Sequence, residues 1–185
     1  MMGYSQAGQD DFVIKTLEGK KSGVYVEIGA YHSIDISNTY MLEKDYGWTG
    51  VSFEIDPYRV EEFNSNRTNK CYLADARIYD YEALFDRLNL PKQIDYLQVD
   101  IEPAENSLMA LLRLPLEKYR FSVITFEHDL YADKNNINIK NKQKEILSGL
   151  GYILVKENVT CNHPDLPFED WWIDGRLKSC EWDDL

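Results

Sequence analysis

A chain of 185 residues, 44% apolar and 13% aromatic, is long enough to pack one domain and bury about two thirds of its unfolded surface, which excludes a disordered chain. Its net charge of −12 argues against a nucleic-acid groove, because phosphate-binding surfaces are basic, and no apolar run approaches the ~20 residues of a membrane span. Cys71, Cys161 and Cys180 are odd in number and lack metal-ligand spacing, and residues 1–10 lack the basic and apolar regions of a secretory signal, so reduced thiols in a cytoplasmic setting are expected.

In chain order, residues 8–18 place Phe12, Val13, Thr16 and Leu17 on one face of a helix ended by Gly19, part of an N-terminal helical flap over residues 1–20. A strand follows at Val24–Ile28. Ser37 or Asn38 caps a helix through Lys44, closed by Gly47. Val51–Glu54 is the second strand and Pro57–Phe63 the helix after it. Cys71–Ala74 reads as a short strand, Tyr79–Leu88 as a helix, Asp95–Val99 as a fourth strand, and Ser107–Leu114 as a helix stopped by Pro115. Ser122–Phe126 is a fifth strand, Asn141–Leu147 a helix and Tyr152–Lys156 a sixth strand. The Lys-rich stretch 134–144 reads as a solvated face or loop. The tail 157–185 reads as a loop with a possible strand at Trp171–Ile173. No linker or repeat divides the chain. Alternation of this kind predicts a single α/β domain over 1–185, with a mostly parallel central sheet covered by helices on both faces.

In such sheets ligands bind beyond the carboxyl ends of the strands. Those ends carry Glu27 with Gly29 and Ala30; Glu54 with Asp56; Asp75; Asp100 with Glu102 and Glu105; and Glu127, His128 and Asp129. One acid after a strand is often only a helix cap. Five strands that each deliver a carboxylate to one edge exceed what capping explains, and acids so crowded need ligand hydroxyls, an ammonium or a metal to answer them. A strand ending at a Gly turn, then a strand ending at a carboxylate, is how an α/β sheet holds an adenosine. A nicotinamide dinucleotide wants Gly-x-Gly-x-x-Gly, whereas Gly29 stands alone before Tyr31 and His32. A nucleoside ligand without phosphate and with a positive charge fits better. S-adenosylmethionine has both properties.

The chain also resembles the FkbM-type methyltransferases, S-adenosylmethionine-dependent enzymes that methylate sugar and other hydroxyl oxygens. The resemblance is carried by Tyr-Ser-Gln-Ala-Gly-Gln-Asp (4–10), Val-Glu-Ile-Gly-Ala-Tyr-His (26–32), Ser-Asn-Thr (37–39), Gly-Trp-Thr-Gly-Val-Ser-Phe-Glu-Ile-Asp-Pro (47–57), Ile-Asp-Tyr-Leu-Gln-Val-Asp-Ile-Glu-Pro-Ala-Glu (94–105), Ile-Thr-Phe-Glu-His-Asp (124–129) and Phe-Glu-Asp-Trp-Trp (168–172). It implies a Rossmann-like class I methyltransferase fold. It further implies Glu27, Gly29 and Ala30 beside the amino-acid end of the cofactor, Glu54 on the ribose, Asp75 near the adenine, and Asp100 near the methyl group and acceptor. Pro103 stands where the family has Gly.

Methyl transfer to oxygen needs alignment and removal of the hydroxyl proton, for which Asp100, Glu127 and His128 are the candidate bases. Ser37 and Asn38 cap a helix whose N–H groups could also meet the cofactor carboxylate. Gln6, Gln9 and His32 are candidates to line the pocket, Trp171 and Trp172 read as core or lid, and His163 as a surface loop residue. No metal is expected; the alternative is a divalent cation on Asp100, Glu102, Glu127 and Asp129. The expected reaction is O-methylation of a carbohydrate or small-molecule hydroxyl. The rivals are a catalytically silent S-adenosylmethionine-binding scaffold and a nicotinamide-dependent oxidoreductase.

Overall fold

A computed structural model of the protein describes residues 3–161 and 165–177; His163 and Cys180 lie outside them. Seven strands form one sheet: β1 (Val24–Ile28), β2 (Thr49–Glu54), β3 (Lys70–Leu73), β4 (Gln93–Val99), β5 (Arg120–Glu127), β6 (Tyr152–Thr160) and β7 (Pro167–Asp174). Their spatial order is β3-β2-β1-β4-β5-β7-β6. The first five are parallel, and β7 runs antiparallel between β5 and β6. The helices α2 (Tyr40–Tyr46), α3 (Pro57–Asn66), α4 (Tyr81–Arg87) and α5 (Ala104–Arg113) are the connections that parallel pairing requires, while α1 (Gln9–Thr16) precedes β1 and α6 (Ile137–Gly149) leads from β5 to β6. No helix of the described residues is long and apolar enough to cross a membrane.

Strand alternation splits the core in two. Tyr25, Tyr96 and Val123, level across β1, β4 and β5, pack with Phe12, Val13, Leu42, Trp48 and Trp171 on one face. Val26, Leu97 and Ile124, one residue on, pack with Phe53, Tyr81, Phe85, Leu111 and Trp172 on the other. Trp171 and Trp172 are thus core residues.

Three expectations need correction. The tail is not a loop: β6 continues to Thr160, and β7 is a full strand rather than the short piece at 171–173. The acids of β7 are buried and paired. Asp170 accepts from Gln143 Nε2 at 2.7 Å and the Asn158 N–H at 2.9 Å, and Asp174 pairs with Arg120 at 2.7 Å. The Lys-rich stretch is not uniformly solvated: α6 begins at Ile137, and Lys140 is buried against Asp170 (3.4 Å) and Glu157 (3.0 Å). Finally α5 begins at Ala104, three residues before the expected start, with Pro103 as its N-cap at φ −67°, a value proline favours.

Candidate functional site

Strand register sets the site. Ile28 lies level with Phe53 and Val99, and Val99 with Phe126. The next residue of each strand therefore falls in one row across the carboxyl edge: Glu54, Gly29, Asp100 and Glu127. A cavity of about 570 Å³ opens over this row, within the size range of small-molecule sites. Among the described residues six carboxylates line it, those of Glu27, Glu54, Asp75, Asp100, Glu102 and Glu127, and the single cationic side chain is Arg77.

Gly29 turns the chain at φ +86°, and a Cβ there would lie 1.6 Å from the Asp100 carbonyl oxygen. Only glycine permits both the dihedral and the approach of β1 to β4. Ala30 follows in the wall. Glu54 is oriented by three backbone donors: Oε1 accepts from the N–H of Ile55 (2.7 Å) and of Asp56 (2.9 Å), and Oε2 from that of Tyr31 (3.0 Å). Phe53, Ile55, Ala74 and Ala76 supply an apolar wall beside it. Asp75 reaches the cavity while held by Arg77 through two parallel contacts of 2.8 and 2.7 Å, which lower its pKa.

Glu27 is buried beneath the row. It accepts from Ser52 Oγ at 2.6 Å and Thr39 Oγ1 at 2.9 Å. Burial raises its pKa, and the Arg67 guanidinium opposes that rise. Arg67, its own side chain fully enclosed, ties the segment before α2 together: it donates to the Ser33 carbonyl, Ser37 Oγ, Thr39 Oγ1 and Tyr25 Oη and pairs with Glu43 at 2.8 Å. The sequence gives no sign of it, because its partners lie 24 to 42 residues away.

Asp100 and Glu127 sit together as a hydrogen-bonded pair. Burial raises Asp100 to about 7. Burial and then the Asp100 charge push Glu127 well above the carboxylate range, so the pair retains a proton near neutrality. Asp129 lies within hydrogen-bonding reach of Glu127 and adds its charge from behind. Asn38 also lines the cavity and leaves its buried Oδ1 unpartnered.

Several expected residues lie elsewhere. His128 alternates to the far side of β5: the ring is fully buried, Nδ1 accepts from the Leu130 N–H at 3.2 Å, and Nε2 lies 3.5 Å from Asp170. It is outside the cavity wall, which removes it as a direct base. Ser37 is spent on the start of α2, accepting from Tyr40 N–H at 3.2 Å. His32 stacks edge-on to Tyr31 and meets Arg59 at 3.0 Å, outside the cavity. Gln6 does line the cavity, whereas Gln9 is buried against Glu169. Tyr131, Asn106 and Ile36 line it without a sequence signal beyond proximity to the acids. Among the described residues no group of three or more His, Cys, Asp or Glu side chains is arranged to hold a metal ion.

No protein-family model and no curated protein sequence matches the chain. Solved structures do. The O-methyltransferase from Bacillus cereus, determined with S-adenosylhomocysteine, matches with a TM-score of 0.61 at 14% identity over 89% of this chain and 80% of its own. A protein described as an rRNA methylase, from Clostridium thermocellum, matches at TM-score 0.59 and 14% identity over 94% and 99%. Fibrillarin from Aeropyrum pernix, with natively bound S-adenosylmethionine, matches at 0.52 and 13% over 83% and 67%. The chain has the Rossmann-like class I methyltransferase fold. At these identities the fold is what is shared. Because an O-methyltransferase and an rRNA methylase both have it, the fold leaves the acceptor class open, nucleic acid included.

Proposed function

We propose that the chain is an S-adenosylmethionine-dependent methyltransferase acting on a hydroxyl oxygen of a small-molecule or carbohydrate acceptor, as the FkbM-type resemblance implies. The observation that carries the reading is the acid-lined cavity over a single-glycine turn at the carboxyl edge. A site with six carboxylates and one cation, itself paired to Asp75, suits a cationic adenosyl ligand. It is poorly suited to the pyrophosphate of a nicotinamide cofactor, and Tyr31 at φ +43° occupies the turn where further glycines would be needed.

The residues present fit the cofactor. Glu54 has three of its four lone-pair positions filled by backbone donors, leaving one aimed outward for a ribose hydroxyl. Phe53, Ile55, Ala74 and Ala76 offer an apolar slot for the adenine, with Asp75 at its margin. Asn38 Oδ1 and Glu27 provide acceptors for an ammonium, beside Gly29 and Ala30. Bound there, S-adenosylmethionine would supply an electrophilic methyl carbon whose bond to sulfur breaks as the bond to the acceptor oxygen forms, leaving a neutral sulfide. The part left to Asp100 and Glu127 is proton removal, in which the ionised member of the pair takes the acceptor hydroxyl proton. A pair that shares a proton near pH 7 is poised for that transfer. The net charge of −12 and the acidic cavity weigh against a nucleic-acid acceptor.

Incubation of the protein with methyl-labelled S-adenosylmethionine and a panel of sugars and small hydroxyl compounds tests the reading. Label in a product ether, lost in Asp100→Asn, is expected. A folded protein that binds the cofactor and labels nothing would instead be the silent scaffold.

A further inference from the structure

Glu27 and Asn38 are buried acceptors in the cavity wall, and both are held by a side chain that lies outside that wall. Arg67, at the end of α3, has its side chain fully enclosed and spends all five of its N–H groups. Nε donates to Glu43 at 2.8 Å, Nη1 to the Ser33 carbonyl at 2.9 Å and Ser37 Oγ at 3.3 Å. Nη2 donates to Thr39 Oγ1 at 3.1 Å and Tyr25 Oη at 3.2 Å. A guanidinium only donates, so the Thr39 hydroxyl accepts from it and keeps its one proton for Glu27 Oε1, at 2.9 Å. Ser52 Oγ donates to the other oxygen at 2.6 Å. Glu27 thus accepts on both oxygens, as an ionised carboxylate does. Burial raises its pKa, and the Arg67 charge is the largest influence against that rise. Glu43 is the carboxylate in direct contact with Arg67, whereas Glu27 meets it through the Thr39 hydroxyl.

Asn38 supplies the independent observation that points to a ligand. It stands between Ser37 and Thr39, both held by Arg67. Its side chain lines the cavity at 8% exposure, and its buried Oδ1 has no hydrogen-bond partner among the described residues. A buried amide oxygen without a donor is destabilising unless a ligand provides one. A carboxylate and an unpartnered amide oxygen in one wall match an ammonium group, which has three donors and no acceptor. Lysine could not replace Arg67, because three donors on a flexible stem cannot span its five acceptors.

We propose that Arg67 is a positioning residue for the methyl donor: through Ser37 and Thr39 it holds Asn38 Oδ1 and the Glu27 carboxylate as paired acceptors for the ammonium of the donor's amino-acid end. The site thereby selects adenosyl ligands that carry this ammonium over those that lack it. The proposal rests on the methyltransferase reading above and assigns a part in it to a residue that touches no ligand.

Calorimetry compares S-adenosylhomocysteine, its analogue with hydrogen in place of the amino group, and methylthioadenosine, which lacks the whole amino-acid end. The unmodified protein should bind the first at least about tenfold more tightly than the second, the least that losing a charge-assisted hydrogen bond costs. Arg67→Lys should cut that preference at least about fivefold and Asn38→Ala at least about threefold, with methylthioadenosine affinity within about twofold in both. Asn38 Oδ1 makes no hydrogen bond within the described protein, so Asn38→Ala should fold. If Arg67→Lys does not fold, Thr39→Val, which removes the hydroxyl between Arg67 and Glu27, carries the same expectation. Equal binding of the amino and deaminated ligands by the unmodified protein overturns the proposal, as does a folded Arg67 or Thr39 variant that keeps the preference. So does an equal loss for all three ligands, the result a merely structural role would give. Absence of binding of both S-adenosylhomocysteine and methylthioadenosine by the folded, unmodified protein would instead fail the methyltransferase reading itself.

Discussion

Replacing Glu54 by Ala weakens cofactor binding by an amount the geometry limits. The carboxylate has about four acceptor positions, and three are already used by the N–H groups of Tyr31, Ile55 and Asp56 at 3.0, 2.7 and 2.9 Å. One remains, on Oε2, for a ribose hydroxyl. A charge-assisted hydrogen bond contributes about 1.5–3 kcal/mol, and about 1.4 kcal/mol is a factor of ten, so the dissociation constant should rise about 10- to 150-fold. A carboxylate with both oxygens free would set the ceiling far higher. The three freed N–H groups lie at the exposed rim and can turn to water, so folding should survive the change. Titration calorimetry with S-adenosylmethionine measures the ratio, and circular dichroism confirms the fold. An affinity within twofold of the unmodified protein refutes the ribose role of Glu54; a loss beyond a thousandfold refutes the one-bond count.

The acid pair makes turnover pH-dependent: as Asp100 titrates at about 7, kcat/KM should rise with pH to a plateau, and Asp100→Asn should lower it at least 100-fold. Stability should run the other way. Burial raises Asp100 to about 7 and Glu169 to about 8, while both ionise near 4 when unfolded. Between those values the folded state holds more protons than the unfolded one, so stability falls as pH rises from about 4 to 8, and Glu169→Gln should flatten the melting temperature over pH 5–8. A melting temperature that climbs through this range would contradict the burial of these acids. Gly29→Ala should abolish folding or lower stability by several kcal/mol, since the Cβ meets the Asp100 carbonyl at 1.6 Å; an unchanged denaturation midpoint would show that the turn has another shape. His128→Gln should cost about 1–3 kcal/mol of stability through its buried contacts and leave kcat within about threefold; a hundredfold fall in kcat from folded protein would restore it as a base.

What is legible in the sequence is local. The five parallel strands announce themselves as short apolar runs ending in Gly or an acid, and the acids themselves locate the cavity, because a parallel sheet sends every strand's end to one edge. Pairing across the sheet is not legible. Glu169, Asp170 and Asp174 are buried in β7 by partners far away in sequence, Gln9, Gln143 and Arg120, so the full length of that strand is not legible from the tail alone. Lys140 misleads for the same cause, its burial depending on Asp170 across a strand added later. His128 between two acids looks like a base, yet the two-residue period of a strand turns it away from both neighbours and into the packing beneath. Arg67 follows no pattern at all, though it holds together the segment that carries Asn38 and Thr39.

The most direct test of the account is whether the cavity holds an adenosyl sulfonium. Calorimetric titration of the purified, folded protein with S-adenosylmethionine, S-adenosylhomocysteine and NADH decides it. Micromolar binding of the first two and none of the third is the predicted result. Silence toward both adenosyl ligands from protein free of co-purified ligand, or tighter binding of NADH, would contradict it.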